Sequence, residues 1–370
     1  MPTPTREVPV LRTLQALRFV AALVVVVVHA CFYVGDRSDS AVPSLAPLAG
    51  PAVWLFFTIS GFIMTVVTDR RPAPDWAAFA AHRILRIAPL YWALTTVKVL
   101  TILTAGTLVV DGALGASRVV GSYLFLPTHD EAGAVHPLWG VGWTLTFEMA
   151  FYALVTLALA RRVDPVRAVG PVLVAAAVAS IWRPETGSPW WCYADPATLY
   201  FLAGMIVGRG LRHRAPWATS SALLALGLLT TLLAQLTGTT RPWAQGLVFL
   251  LVSALLAVAV AAEPRWGEKV PRALVTGGAA SYALYLTHPL VAPLVPEAAS
   301  RVLSGTPPWP ALVAVAVIVS LAAAPVVHSR VELPVTRALR RRVDVLLARR
   351  GRPPRACRPL GGEAPTPAPS

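Results

Sequence analysis

Charge is scarce in this chain. Only 14% of its 370 residues are Asp, Glu, Lys or Arg, against about a quarter in an ordinary globular domain. With a mean hydropathy of +0.62, that scarcity excludes a soluble domain, which has no way to hide so much apolar surface. What remains is a chain that crosses a membrane several times. Cysteine is nearly absent too. The three present, Cys31, Cys192 and Cys357, stand far apart, which excludes a disulfide framework and a cysteine-based metal site. The sequence also lacks a Gly-rich phosphate loop, a G-x-S-x-G nucleophile turn and any metal-ligand spacing, so no metal is expected. No cleavable signal is evident, because the first apolar run exceeds a signal-peptide core and no small-residue cleavage site follows it.

The charge that is present is mostly positive, with a net of +14. Its distribution argues against nucleic acid as a partner. About ten apolar segments are centred near Val24, Phe57, Val97, Ala150, Val174, Met205, Leu228, Val252, Leu286 and Val317, each long enough or nearly so to cross a bilayer. With the N-terminus in the cytoplasm and the spans alternating, 26 of the 32 Lys and Arg residues fall on the cytoplasmic side and five outside. Basic residues flanking spans mark cytoplasmic loops. The reading is therefore an all-α, polytopic bundle of about ten transmembrane helices with both termini cytoplasmic. The partner it requires is the lipid bilayer. Residues 1–342 form the membrane domain, and residues 343–370 a basic, then Pro-rich tail whose last twenty residues read as disordered.

Within the first span, Arg12 to Phe32, Arg18 and His29 enclose ten residues that are all apolar. An ionisable group inside such a span is expensive and marks a functional site by default. On a helix the two lie about 16 Å apart. Imidazole suits proton abstraction because its unperturbed pKa is about 6.5. Trp76–Ile87 has apolar residues at helical spacing and a basic face, which reads as an interfacial helix. Pro89 then fixes its exit into the third span. In it, Arg83 and Arg86 share one helix face and, with Arg18, form a cationic cluster suited to phosphate oxygens. Glu148, in the fourth span, needs a partner in the bundle interior. His288 ends the ninth span, and Glu332 follows the last one at the cytoplasmic interface. Ser60-Gly61 allows close helix contact. The loop from Thr104 to Gly142 carries Asp111, His129, Asp130, Glu131 and His136. It reads as a solvated loop or as part of an acceptor-binding mouth, with Tyr123–Leu126 able to dip back into the membrane.

Taken together these stretches resemble the acyltransferase-3 family, the bacterial membrane O-acyltransferases that modify surface polysaccharide, lipopolysaccharide and related sugars. The resemblance runs in order along nearly the whole chain. It comprises the Arg18/His29 pair, F-F-x-x-S-G-F at Phe56–Phe62, R-x-x-R-I-x-P at Arg83–Pro89 and W-T-L-T-F-E-x-x-F-Y at Trp143–Tyr152. It continues with F-x-x-G at Phe201–Gly204, G-x-x-S-Y-x-L-Y-L-x-H-P at Gly278–Pro289, and the terminal V-E-x-P at Val331–Pro334. Trp54 and Met149 depart from it, standing where acidic residues are frequent. The resemblance implies a bacterial inner-membrane, multi-pass enzyme. It would move an acyl group, by family habit acetyl, from acyl-CoA to a hydroxyl of a carbohydrate-type acceptor such as a surface polysaccharide, a lipid-linked sugar or a glycosylated small molecule. Arg18, Arg83 and Arg86 would bind the acyl-CoA. His29 would be the catalytic base or transient acyl carrier, with Glu148 and His288 orienting it or the acceptor. No esterase-like domain is appended, so the chain is expected to complete the transfer itself or pass the group to a separate protein. The alternative is a transporter or flippase for a sugar-containing substrate, since intramembrane His, Glu and Arg also line substrate paths.

Overall fold

A computed structural model describes residues 11–38, 41–69, 75–105, 114–130, 133–184, 186–303 and 307–350. Arg6, Arg70, Arg71, Asp111, Glu131 and the Pro-rich end of the tail lie outside these. The described residues form helices and no β-strand, with one isolated bridge between His129 and Val135. In chain order the α-helices are α1 (Arg12–Arg37), α2 (Ala49–Thr68), α3 (Trp76–Ala105), α4 (Ala116–Leu124), α5 (Trp143–Ala160), α6 (Pro165–Ala179) and α7 (Thr198–His213). They continue with α8 (Pro216–Leu236), α9 (Pro242–Trp266), α10 (Arg272–Ala279), α11 (Ser281–Val291), α12 (Leu294–Val302), α13 (Trp309–Val327) and α14 (Leu333–Arg350).

Eight helical segments have the length and apolarity to cross a membrane, where the sequence pattern suggested about ten. The two that differ are the sixth and ninth. The sixth, α7, has only 16 residues. The ninth is split into α10 and α11 at Ala280, where the backbone leaves helical geometry. Both sit deep in the bundle: Leu199, Ala203, Met205, Ala283 and Leu286 are fully buried. A short or broken helix is tolerated at membrane depth when protein, not lipid, surrounds its backbone.

Helix starts follow local chemistry. Pro165, Pro216 and Pro242 each open a helix, a position where the missing N–H costs nothing. Asp164 caps α6 by accepting from Arg167 N at 2.9 Å and also receives the Arg209 guanidinium at 2.7 Å. Helix α1 has no cap of its own. Glu263, near the end of α9, accepts its first two backbone N–H groups, from Arg12 and Thr13, both at 2.9 Å. A carboxylate there opposes the positive end of the helix dipole.

Helices α2 and α7 run parallel in the tightest contact of the bundle. A Cβ on Gly61 would lie 2.0 Å from the Phe201 carbonyl oxygen, and one on Gly204 would lie 1.9 Å from that of Thr58. Only glycine lets two helix backbones approach so closely. Phe57 stacks on Phe201 at 4.4 Å and Trp54 on Tyr200 at 5.0 Å beside this contact, so Trp54 serves packing.

Two expectations need correction. Trp76–Ile87 is not a separate interfacial helix. It is the first part of α3, which runs unbroken for 30 residues with Pro89 inside it. Proline removes the backbone bond to the Leu85 carbonyl and crowds the preceding turn, which is tolerated where protein surrounds the helix. Tyr282 from α11 bonds the Ile87 carbonyl at 2.6 Å and ties this part of α3 to the bundle. The stretch after Ala116 is also no open, solvated loop. It folds as α4 and then packs inward, with Leu138 and Trp139 buried. Arg118, itself buried, donates to the His136 carbonyl at 3.2 Å. At the other end, α14 continues to Arg350, across the expected start of the tail.

Candidate active site

Helices α1, α2, α3, α5 and α11 enclose a narrow cavity of about 120 Å³. The structure brings four of the six expected site residues to its wall: Arg18, Arg83, Arg86 and Glu148. Arg18 sits on the second turn of α1. Arg83 and Arg86 lie on one face of α3, three residues apart. Glu148 is on the second turn of α5.

Glu148 is held by hydroxyls, not by the histidines. It accepts from Ser60 at 3.1 Å and, on the same oxygen, from Tyr152, while Ser60 and Tyr152 are 3.2 Å apart. Ser60 is placed by the glycine contact between α2 and α7 next to it. The sequence offers Ser60 only as part of a close helix contact and Tyr152 only as the last residue of the Trp143–Tyr152 stretch; their joint hold on Glu148 appears only in the structure.

The arginines are under-neutralised. Arg86 pairs with Glu332 at 3.5 Å. Glu332 is buried and also bonds His328 at 2.7 Å. It reaches this position because the chain makes a π-helical turn over His328–Glu332 between α13 and α14, a feature common at functional sites. Glu332, expected at the cytoplasmic interface, is thus turned into the protein interior. Arg83 has no carboxylate within ion-pair distance among the described residues. Its guanidinium lies 5.6 Å from the Phe79 ring and 6.0 Å from that of Tyr152, and its Nε is buried without a partner. Ser281, on the cavity wall at the start of α11, is fully buried and its hydroxyl also has no partner. A buried polar group without a partner costs about 1–3 kcal/mol. Two such donors on one cationic cavity are left without an acceptor.

His29 and His288 do not line this cavity. They face each other from α1 and α11, with ring centroids 4.9 Å apart. Each bonds a carbonyl one turn back through Nδ1: His29 to Val25 at 2.9 Å and His288 to Leu284 at 3.2 Å. Since a carbonyl only accepts, Nδ1 carries the proton in both rings and Nε2 keeps its lone pair. Nε2 of His288 is buried and unpartnered. Between the histidines and the cavity stands Tyr285, which lines the cavity and has its ring 6.1 Å from that of His288. Its hydroxyl donates to the Val141 carbonyl at 3.0 Å and contacts Thr144 Oγ1 at 3.0 Å. The arginine-lined cavity and the two imidazoles therefore both lie against one tyrosine. That arrangement can hold a polyanionic carrier at one end and remove a proton at the other.

Residues 11–326 match the family model described as an acyltransferase domain. The exopolysaccharide production protein ExoZ of Rhizobium meliloti (strain 1021) is 33% identical over 270 residues, which covers 70% of this chain and 82% of ExoZ. The acyltransferase MdmB of Streptomyces mycarofaciens is 28% identical, with 91% of this chain and 95% of MdmB covered. No solved structure matches.

Proposed function

We propose, from the premise that this chain belongs to the acyltransferase-3 family, that it transfers an acyl group, acetyl first, from acyl-CoA to a hydroxyl of a carbohydrate-type acceptor. That it is a multi-pass membrane acyltransferase follows from the family and from the apolar helices. The donor, the acceptor and the roles of individual residues are our reading. The transporter alternative is not carried forward, because the family is one of acyltransferases.

The single observation that carries the donor assignment is the cavity where Arg18, Arg83 and Arg86 meet an unpartnered Arg83 Nε and Ser281 hydroxyl. Coenzyme A has phosphates at one end and a thioester at the end of a long thin arm. The arginines suit the phosphates, and the narrow cavity suits the arm. The carbohydrate acceptor is supported by the similarity to ExoZ, an exopolysaccharide production protein.

In this reading His29 Nε2 takes the proton from the acceptor hydroxyl as its oxygen attacks the thioester carbonyl. The C–O ester bond forms, the C–S bond breaks, and the proton passes from the imidazolium to the departing thiolate. His288, packed on His29, positions it. Glu148, fixed by Ser60 and Tyr152, offsets part of the arginine charge around the phosphates. We assign ten passes with both ends in the cytoplasm, counting α7 as one and α10 with α11 as another, in the bacterial inner membrane. This places Arg83 and Arg86 on the side where acyl-CoA is found, as the bias of basic residues supports.

The test is thiol release from acetyl-CoA by membranes that contain the protein, with and without glycoside acceptors. His29→Ala should insert normally and lose about 10²–10⁴-fold of acceptor-dependent release, the usual share of base catalysis. Full activity in that variant rejects the assignment.

A further inference from the structure

Helix α14 follows the last apolar span and carries arginines at 337, 340, 341 and 342. The match to the family ends at residue 326, so this helix lies outside the shared part. It is nevertheless built onto the arginine site by two ties to α3. At one, Arg86 pairs with Glu332 at 3.5 Å, on the π-helical turn that leads into α14. At the other, His82 Nε2 meets Asp344 Oδ1 at 2.7 Å.

Between these ties each helix turns one arginine towards the other. On α3 it is Arg83, which stands between His82 and Arg86. On α14 it is Arg340, eight residues past Glu332 and four before Asp344. A spacing of four puts Arg340 on the same helix face as Asp344, the face held against α3. Arg83 and Arg86 accordingly repel its charge, while Asp344 attracts it. Arg337, Arg341 and Arg342 are exposed, whereas Arg340 is half-buried. Its Nε is enclosed without a partner, as is that of Arg83. The Asp344 carboxylate is engaged by His82. Among the described residues, neither Arg83 nor Arg340 has a carboxylate within ion-pair distance.

Two like charges held close, each with an enclosed donor left open, are unfavourable until an anion stands between them. Arg83 lines the arginine cavity and Arg340 does not, so the pair marks its threshold, on the cytoplasmic side in the topology proposed above. A coenzyme A thioester that enters reacting end first leaves its ribose 3′-phosphate outermost. That group carries about two negative charges near neutral pH, enough to face two guanidinium forks at once. We propose that Arg340, together with Arg83, seats the 3′-phosphate of coenzyme A, which makes α14 part of the donor site and lets the enzyme select against carriers that lack this phosphate. This rests on the acyl-CoA reading above and adds a recognition element to it. Arg340 is a binding residue remote from the thioester, so it acts on KM and not on the chemical step.

The test compares acetyl-CoA with acetyl-dephospho-CoA, which lacks only the 3′-phosphate, in thiol release by membrane vesicles. For the wild type, the KM of the dephospho donor should be about tenfold higher at similar kcat, the effect of losing one contact between charged partners. Arg340→Gln should raise the KM of acetyl-CoA about tenfold and leave that of the dephospho donor unchanged. Arg340→Lys, which keeps the charge but not the fork, should fall between, and Arg341→Gln should change neither KM. Equal rises for both donors would move Arg340 to the pyrophosphate, and no rise for either would make it a topological charge; both results overturn the proposal. Equilibrium dialysis of CoA and dephospho-CoA against the detergent-solubilised protein gives a readout independent of turnover. The wild type should prefer CoA about tenfold and Arg340→Gln should lose that preference; a preference kept by the variant, or absent from the wild type, also overturns the proposal. If neither donor releases thiol, the acyl-transfer reading falls instead, while dialysis still decides the phosphate seat.

Discussion

Arg83 offers the sharpest measurement on the donor site. Replacing it with alanine removes a guanidinium that has no carboxylate partner among the described residues and whose Nε is buried and unbonded. In the free protein this group gains little where it stands. Its neighbours Arg18 and Arg86 repel it across the same cavity. The truncation should therefore leave the melting temperature unchanged or slightly raised. With acyl-CoA present the balance reverses. A hydrogen bond between charged partners contributes about 1.5–3 kcal/mol, so losing one phosphate contact should raise the KM for acetyl-CoA about 10- to 150-fold. Turnover at saturation should change much less, because the contact is made equally in ground and transition states. Arg83→Lys keeps the charge but not the planar fork, and should fall between the two. The assay is thiol release in membrane vesicles across a range of acetyl-CoA concentrations, repeated at several salt concentrations. An unchanged KM, or a fall in kcat with KM constant, would refute the assignment and leave Arg83 as a topological charge.

Two further outcomes test the fold that holds the site. Gly204→Leu drives a side chain into the Thr58 carbonyl, 1.9 Å from where its first carbon would sit. Overpacking of this kind costs about 1–3 kcal/mol or more, so thermal unfolding in detergent should shift down clearly, whereas Gly140→Ala, with nothing within 4 Å of the added carbon, serves as the control. The Arg209 side chain bonded to Asp164 holds that carboxyl below its ordinary value, with the α6 N–H of Arg167 assisting. A depressed folded-state value means the contribution is complete above the unfolded pKa of about 3.9 and is lost as pH falls through the lower folded value. Melting temperatures of the wild type and Asp164→Asn should thus differ at pH 7 and converge towards pH 3; a constant gap would refute the coupling.

The parts of the site legible in the sequence are those set within one helix. Arg18 and His29 stand out because an apolar span makes any ionisable group conspicuous, and the spacing of Arg83 and Arg86 follows from helical period alone. Contacts between helices were not legible. His29 and His288 meet ring to ring although 259 positions separate them, and no local pattern announces that. Glu148 was expected to orient His29 or the acceptor, and the hydroxyls that hold it, of Ser60 from α2 and Tyr152 from its own helix, were not foreseen. Glu332 looked interfacial because it follows the last apolar run. A π-helical turn, which adds a residue to the helical repeat, rotates it inward against Arg86. The continuity of α3 through Pro89 was hidden for a similar reason: proline is a helix breaker in water, and only the surrounding bundle makes the break unnecessary.

The glycine contact between α2 and α7 reaches further than packing. Gly61 rests on the Phe201 carbonyl, and its neighbour Ser60 grips Glu148. No residue of α7 touches the arginine cavity, yet α7 sets the depth of Ser60 along the bundle as a stop sets the depth of a drill. With backbone against backbone there is no compliant side chain to absorb a displacement. A shift of α7 would therefore arrive at the carboxylate undiminished, which makes that distant helix the ruler against which the donor pocket is cut.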